Sequence, residues 1–254
     1  MNLPLANKFA LVTGSSRGIG AAIAKRLARD GASVLVHFGS ARERAENVVR
    51  DIQGAGGEAA CGGADLSRED GPAALIAQLD RAFGGRFAGH LDILVNNAGT
   101  FEFGALADTT DESFDKLFNL NVRAVFQLSR EAARRMSATG WGRIVNIGSV
   151  FGEAAPAAGM GLYCGTKFAV QGLTRAWSRD LGAKGVTVNN VQPAVVQPEP
   201  VPATGPTFEA MKRFTSVGRF GKPEEVADMV AFLANPNAGF INGASFSVDG
   251  GWRA

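Results

Sequence analysis

Short apolar runs alternate along the chain with segments in which apolar residues recur every three or four positions. The runs lie at residues 9–12, 33–38, 91–95, 143–147, 186–191 and 245–248, and most are followed within two residues by Gly, Asn or Asp. Runs of this length that stop at turn residues indicate buried strands. Ile19, Ile23 and Leu27 at four-residue spacing indicate an intervening helix. This alternation predicts an α/β fold with a parallel sheet covered on both faces.

Helix starts are marked at two later places. Thr109 and Glu112 have the spacing of a capping box, which predicts a helix with Thr109 as its cap. Pro223 followed by two Glu residues predicts another start. Seven residues then mark one face of the first of these helices: Phe114, Leu117, Phe118, Asn121, Val122, Val125 and Leu128.

A proline-rich stretch interrupts the alternation. Residues 192–206 contain five Pro, and an irregular stretch of this length in a compact domain is usually functional. We therefore expect a substrate lid at about residues 194–216, with a passive surface loop as the alternative. The length of 254 residues is typical of one α/β domain, so residues 1–254 are predicted to form a single domain.

Composition excludes several classes of function. The formal charge is only +2, which gives no general reason to bind nucleic acid. No apolar run approaches 18 residues and the first residues lack a signal-peptide pattern, so neither a membrane span nor secretion is expected. Two Cys and two His make a disulfide framework or a metal site improbable, and a reducing cytoplasm fits.

A glycine-rich turn lies between the first predicted strand and the first helix. Gly14, Gly18 and Gly20 allow the backbone to approach a phosphate closely, and the helix start supplies free N–H groups. Ser16, Arg17 and Ile19 lie in the same turn. This pattern predicts a dinucleotide site, although a glycine-rich turn without a ligand is the alternative.

The end of the second strand bears on the choice of cofactor. An acidic residue there usually binds the ribose 2′-hydroxyl of NAD, but this strand ends at Phe38, followed by Gly39 and Ser40. Arg17 and Arg42 could pair with a 2′-phosphate. NADP is therefore favoured and NAD is possible, unless both Arg residues are ordinary solvated cations.

Tyr163 is the only Tyr in a chain with 17 Phe, which suggests that its hydroxyl is required. Lys167 lies four residues later, on the same face of a helix. An ammonium near a phenol lowers the phenol pKa, and such a Tyr can act as a general acid or base. A packed Tyr beside a surface Lys is the alternative for a pattern this short.

Taken together, these motifs resemble the short-chain dehydrogenase/reductase family, from Phe9 to about Gly251. The chain is most similar to the 3-oxoacyl-[acyl-carrier-protein] reductase type. The resemblance implies a Rossmann-type, doubly wound parallel sheet of about seven strands. The matching motifs, in chain order, are Thr13-Gly14-xxx-Gly18-x-Gly20, Asn96-Asn97-Ala98-Gly99, Asn121, Ser149 and Tyr163-xxx-Lys167.

The resemblance also implies roles for individual residues. Tyr163 would donate the proton, Ser149 would bind the substrate oxygen, and Lys167 would bind the nicotinamide ribose and lower the Tyr163 pKa. Asn121 would help to hold a water in the proton relay, and Asp65 would contact the adenine. Read without the family, Asn121 and Ser149 are more typical of satisfied structural residues, and Asp65 and Asn96 of loop caps. Further cofactor contacts would come from Leu66, Asn96, Ala98, Gly99, Pro193 and Val196.

Two positions depart from the family pattern. Ala194 replaces a Gly, and Pro198 stands where a Thr contacts the nicotinamide. We predict NADPH-dependent reduction of a ketone, with an NAD-linked alcohol dehydrogenase or a cofactor-binding regulatory protein without turnover as alternatives. Enoyl reductases of this fold usually space Tyr and Lys more widely. The candidate substrate wall is Phe101, Phe103, Phe151, Met160, Leu162, Phe208 and Met211.

Apolar helix faces predict an assembly. The helix at about 111–136 and the helix that begins near Tyr163 each present more apolar surface than one sheet can bury. Similar proteins pair these helices between subunits, so we expect a homotetramer with D₂ symmetry, with a dimer as the fallback. The tail from Phe246 to Trp252 is expected near a subunit boundary, reaching toward a neighbouring substrate site, unless it merely frays at the surface.

Overall fold

The computed structural model describes residues 3–197, 209 and 212–254. The strands are β1 (Phe9–Val12), β2 (Ser33–Phe38), β3 (Glu58–Gly63), β4 (Ile93–Asn96), β5 (Gly142–Ile147), β6 (Val186–Pro193) and β7 (Ser245–Val248). They form one seven-stranded sheet in the order β3-β2-β1-β4-β5-β6-β7, in which every pairing is parallel. The predicted α/β class and doubly wound topology are therefore confirmed.

Helices cover both faces of this sheet. On one face three helices bury Ile23, Val48 and Val230 against the strands, and on the other three helices bury Leu75, Leu128 and Leu181. Within the described ranges, no helix is long and apolar enough to cross a membrane. The helices are α1 (Gly18–Arg29), α2 (Arg42–Gly54), α3 (Gly71–Arg81), α4 (Asp111–Phe118), α5 (Ala124–Thr139), α6 (Gly161–Leu181) and α7 (Pro223–Ala234).

The strand order reverses direction at β1, and this reversal positions the site. Val12 at the end of β1 pairs with Val36 of β2 on one side and with Val95 of β4 on the other. The connections that leave β1 and β4 run to opposite faces of the sheet. A crevice therefore opens at the carboxyl ends of these strands, where doubly wound proteins bind their ligands.

Four local features differ from the pattern-based expectations. Strand β3, with the sequence EAACGG, carries no clear strand pattern and was not predicted. Helix α3 was not predicted either, although Leu75 and Leu79 lie four residues apart. The helix predicted at about 111–136 is divided into α4 and α5 by one π-helical turn, Asn119–Arg123. The cap of α4 is Thr110 rather than Thr109, because the Oγ1 of Thr110 accepts a hydrogen bond from Ser113 N at 3.2 Å.

Two adjacent threonines test this correction. Thr110→Ala removes the hydroxyl that satisfies a free N–H at the start of α4, so we expect a loss of about 1 kcal/mol in the free energy of unfolding. Thr109→Ala is the comparison and should cost less than Thr110→Ala, because the Thr109 hydroxyl donates to the Ala105 carbonyl at 2.9 Å and satisfies no N–H of α4. Urea unfolding of both variants measures the difference, and equal losses would contradict the assignment of Thr110 as the cap.

Candidate active site

The glycine turn between β1 and α1 lies at the crevice. Gly14 has φ +62° and Gly18 has φ +54°, a region that residues with side chains rarely adopt. A Cβ at Gly20 would lie 2.4 Å from Gly14 O and 2.5 Å from the Nδ2 of Asn97. The chain can follow this path only with glycine at these positions, which explains the motif in the sequence.

The turn after β4 holds the glycine turn in place. The Oγ1 of Thr13 accepts from the backbone N–H groups of Asn97 and Ala98, both at 2.9 Å. The Nδ2 of Asn97 donates to the carbonyls of Thr13 and Gly14 at 2.9 and 3.0 Å. These side-chain roles of Thr13 and Asn97 were missed by sequence reasoning, although both residues lie in the quoted motifs.

Asn96 and Asn97 point to different partners. Asn96 is buried, and its Nδ2 donates to the Oδ1 of Asn146 at 2.8 Å and to the Oγ of Ser129 at 3.0 Å. The adenosine-side role expected of Asn96 stays a prediction, and its buried side-chain NH₂ group is already bonded inside the protein. Ala98 is half-buried and Gly99 is exposed where the same turn leaves the crevice.

The start of α1 fits a phosphate group. Its first turn carries no acidic residue, and a Cβ on Gly18 would meet no atom within 4 Å, so there is space above the turn. The N–H groups of the first turn and the positive end of the helix dipole favour an anion in that space. Arg17 is exposed and Ser16 and Ile19 are half-buried in the same turn.

The region expected to hold the adenosine end contains no carboxylate at the end of β2. Phe38 is buried against Gly63, with the Cζ of Arg42 at 5.3 Å from its ring centroid, and Ser40 is exposed. Asp65 is exposed after β3, and hydrogen bonds from the side chain and backbone of Ser67 lower the pKa of its carboxyl. Leu66 is buried. These residues fit a dinucleotide with a 2′-phosphate.

Tyr163 and Ser149 are brought together at the carboxyl end of β5. Burial raises the pKa of the Tyr163 phenol above its ordinary value of 10.0, and a hydrogen bond with the Ser149 side chain opposes the rise. Ser149 Oγ also accepts from Phe151 N at 3.2 Å, which fixes its orientation. The phenol is therefore protonated at neutral pH, as a proton donor must be.

Lys167 is fully buried beside this pair. Its Nζ donates to Ile147 O at 2.9 Å and lies 5.7 Å from the centroid of the Tyr163 ring. Burial lowers the pKa of Lys167 from 10.5 to about 8. The expected lowering of the Tyr163 pKa by Lys167 stays a prediction, because the net shift of the phenol is upward and its main causes are burial and the opposing Ser149 hydrogen bond.

Asn121 lies in the π-helical turn and anchors the chain that follows β4. Its Oδ1 accepts from Thr100 N at 2.9 Å, and its Nδ2 donates to Thr100 O at 2.8 Å and to Thr166 Oγ1 at 3.1 Å. The side chain thus connects the turn at residues 99–100 to α6, which carries Tyr163. Its relay role stays a prediction, and the amide already has three partners in the protein.

Aromatic rings surround the Tyr163 phenol. Phe101, Phe103 and Phe151 lie with ring centroids 6.4, 6.5 and 6.2 Å from that of Tyr163, all edge-on to it. Trp252 packs edge-on against Phe151 at 5.3 Å. Within this chain the tail contacts the candidate substrate wall, and the expectation that it reaches toward a neighbouring substrate site stays a prediction.

The remaining candidate positions lie after β6 or beside the aromatic wall. Pro193 is buried at the end of β6, and Val196 forms an isolated parallel bridge with Gly221. Met160 is buried and Leu162 is half-buried. Pro198, Phe208, Met211 and most of the expected lid lie outside the described residues.

Comparisons agree with this geometry. A family model described as "Enoyl-(Acyl carrier protein) reductase" matches residues 14–253. The chain belongs to the short-chain dehydrogenase/reductase family, and its activity class is that of an NAD(P)-dependent oxidoreductase.

Individual relatives align over nearly their full length. The chain is 39% identical to the cyclic-di-GMP-binding biofilm dispersal mediator protein of Escherichia coli K12, over 97% of this chain and 98% of that one. It is 38% identical to a hydroxynaphthalene reductase of Aspergillus fumigatus, over 96% and 92%. A Burkholderia cenocepacia short-chain dehydrogenase solved with NADP is 42% identical, with a TM-score of 0.89 and coverage of 99% and 100%.

The buried ammonium of Lys167 should cost stability. Since burial lowers its pKa from 10.5 to about 8, keeping it charged at pH 7 costs on the order of 3 kcal/mol. Lys167→Met should therefore raise the free energy of unfolding at pH 7 by about 1–3 kcal/mol. The loss of the hydrogen bond from Lys167 to the Ile147 carbonyl subtracts from this gain. Between pH 8 and 10.5 the Lys167 side chain of the wild type is protonated in the unfolded state but not in the folded state. The free energy of unfolding of the wild type therefore rises with pH over this range, and the advantage of the variant shrinks.

Urea unfolding at pH 7 and pH 9.5, at one protein concentration, measures this difference. Lys25→Met is the matched control, because Lys25 is exposed and paired with Asp51, and it should change stability by less than about 1 kcal/mol at both pH values. A destabilised Lys167→Met at pH 7 would contradict the electrostatic cost assigned to Lys167.

Proposed function

We propose that the protein reduces a ketone to an alcohol with NADPH. The observation that carries the proposal is the protonated phenol of Tyr163, which is hydrogen-bonded to Ser149. Both residues lie at the carboxyl ends of the strands, where the glycine turn also lies. A half-buried phenol with a raised pKa suits donation of a proton to a carbonyl oxygen at neutral pH.

The residues divide the reaction between them. When bound, the nicotinamide cofactor supplies the hydride that the carbonyl carbon accepts. The Ser149 hydroxyl donates a hydrogen bond to the carbonyl oxygen, and Tyr163 transfers its phenolic proton to that oxygen as the C–H bond forms. Lys167 presents a cation next to the phenolate that results, which favours the transfer. Asn121 keeps the turn at Thr100 and the helix that carries Tyr163 in fixed relation.

NADP is favoured over NAD by the charges around the adenosine end. Arg17 and Arg42 are exposed beside that region, and the end of β2 offers no carboxylate to repel a 2′-phosphate. The Burkholderia relative solved with NADP supports the same choice. We also place the protein in the cytoplasm, in keeping with Cys61 and Cys164, which are both free thiols.

The aromatic wall supports an aryl ketone as substrate. Phe101 and Phe103 stack on each other at 5.3 Å and are 65% and 57% exposed beside the catalytic phenol. Exposed phenyl rings are unfavourable in water, and a flat aromatic substrate would cover them with edge or face contacts. The neighbouring Glu102 is paired with Lys116, so no unpaired charge of Glu102 competes with an apolar substrate. The hydroxynaphthalene reductase among the relatives is consistent with this class.

Tyr163→Phe tests the proton transfer. The variant loses one hydroxyl and keeps the ring contacts, so NADP⁺ binding and stability should change little. Turnover of an aryl ketone such as 1-tetralone should fall by roughly 100-fold or more. NADPH oxidation measures turnover and calorimetry measures binding.

The same assay separates the alternatives. Activity of Tyr163→Phe within about twofold of wild type would contradict the proposed role of Tyr163. Binding of NADP⁺ by the wild type without turnover of any ketone or alcohol would indicate the regulatory alternative. A higher kcat/KM for NAD⁺ and an alcohol than for NADPH and a ketone would indicate the oxidative one.

Phe103 tests the substrate class. Phe103→Ala should lower kcat/KM for 1-tetralone by about tenfold, because an aromatic contact and apolar area are lost. Phe103→Leu keeps apolar bulk and should recover only part of that loss. Neither variant should change kcat/KM for 2-octanone by more than about threefold. Equal losses for both ketones would contradict the aryl preference.

We further propose a homotetramer, with a dimer as the fallback. Phe126 and Phe168 are 41% and 46% exposed on α5 and α6, and the Phe126 ring lies 6.5 Å from that of Trp177. Pairing of these helices between two copies would bury this apolar surface. Light scattering should give four times the chain mass of 26.5 kDa. An active monomer of 26.5 kDa would overturn the assembly.

A further inference from the structure

His37 occupies an unusual place for an ionisable residue. It lies near the end of β2, pairs with Gly62 of β3 and is only 2% exposed. Gly14 N donates to its Nδ1 at 2.9 Å, and its Nε2 lies 2.9 Å from Ala64 O. Its backbone N–H donates to Ser15 Oγ and its carbonyl accepts from Ser15 N, both at 2.9 Å.

These contacts fix the protonation state of the ring. A backbone N–H can only donate, so Nδ1 must be the unprotonated nitrogen. A carbonyl oxygen can only accept, so Nε2 must carry the hydrogen. Both partners therefore select the same neutral tautomer. A second proton on Nδ1 would place two donors against each other at Gly14.

The surroundings offer the charged form no ion pair. Both ring nitrogens contact main-chain atoms, and burial lowers the pKa of His37 below 6.5, with the bond to Ala64 O opposing that shift. The Asp65 carboxyl, whose pKa is lowered by Ser67, stays anionic from pH 5 to 8. Strand β1 has no titratable residue, and the other elements around His37 carry Glu58, Cys61, Arg17, Asp65, Arg68, Glu69, Asp70, Asp80 and Arg81. None of these side chains is among the hydrogen-bond partners found for the ring within the described residues.

We propose that neutral His37 is a positioning residue for the cofactor: its Nδ1 holds the Gly14 amide in the left-handed turn that receives the dinucleotide, and protonation of Nδ1 releases that turn. The inference rests on the proposed function, since it concerns the same cofactor. It adds a residue that would touch no part of the cofactor and would couple its affinity to pH.

The placement of the contacts supports a role beyond general stability. Gly14 has φ +62°, and a Cβ added at this position would lie 2.9 Å from Ala98 Cα. The turn therefore has little freedom to shift. The imidazole joins this turn to Ala64, which directly precedes Asp65. Two segments predicted to contact the cofactor at different points are thus set by one ring.

NMR can test the tautomer directly, because the chain has only two His residues. Protein labelled with ¹⁵N-histidine should show two imidazoles, and His90→Gln removes one of them to assign the other. We expect His37 to show the Nε2–H tautomer at pH 7.5 and to titrate, if at all, below pH 6.5. An Nδ1–H tautomer, or a charged ring at pH 7.5, would overturn the proposal.

Calorimetric binding of NADP⁺ from pH 5 to pH 8 tests the effect on affinity. His37→Asn offers an oxygen near the Nδ1 position and does not titrate, whereas His37→Leu offers no acceptor. His37→Leu should weaken binding at pH 7.5 by about tenfold, and His37→Asn should recover most of that loss. The 2′-phosphate of the ligand titrates near pH 6 as well, so the informative quantity is the ratio of wild-type to His37→Asn dissociation constants.

That ratio should stay constant above pH 6.5 and rise below it with the midpoint that NMR gives for His37. If His37 titrates, a ratio that stays constant through the NMR midpoint would overturn the positioning role. If His37 stays neutral down to pH 5, a constant ratio together with binding of NADP⁺ by His37→Leu as tight as by the wild type would overturn it. If His37→Leu fails to fold, the wild-type to His37→Asn ratio and the tautomer still decide. Absence of NADP⁺ binding by the wild type at pH 7.5 would instead overturn the proposed function, and this inference with it.

Discussion

Two main-chain turns, one after β1 and one after β4, lie in direct contact, and the arrangement of the whole site depends on that contact. A Cβ at Gly14 would lie 2.9 Å from Ala98 Cα, and one at Gly20 would lie 2.4 Å from Gly14 O. Thr13 and Asn97 close the contact with hydrogen bonds in both directions. Because the strand order reverses here, the crevice above the turns is open, and the first turn of α1 faces it without a competing acid.

The chemistry adjoining this crevice comes at a cost in stability. Lys167 is buried with a single carbonyl partner, and the phenol of Tyr163 is held protonated by its surroundings. A hydrophobic residue at position 167 would pack without that electrostatic penalty. Under the proposed reaction the cation stabilises the phenolate that forms beside it, and we propose that this benefit, rather than the fold, accounts for Lys167.

Strongly patterned features could be predicted from the sequence, and features that depend on tertiary contacts could not. β1, β2 and the glycine turn carry dense apolar runs and positive-φ glycines, whereas β3 has the strand-poor sequence EAACGG and is held by pairing with β2. The spacing to Glu112 favours Thr109 as the cap of α4, and only the path of the chain shows that Thr110 takes that position. Asn96 and Asn97 differ only in which side of the strand end they face. The role of His37 depends on contacts with Gly14 and Ala64, which are remote from it in sequence.

The central claim is that the carbonyl carbon receives hydride from NADPH while Tyr163 protonates the oxygen. The most direct measurement uses NADPH fully deuterated at C4 with 1-tetralone in ordinary water, followed by mass spectrometry of the product. The account predicts that the wild type forms 1-tetralol with one deuterium on the carbinol carbon, and that Tyr163→Phe forms almost no 1-tetralol. Formation of 1-tetralol without deuterium, or no alcohol from the wild type with this or any other ketone, would contradict it.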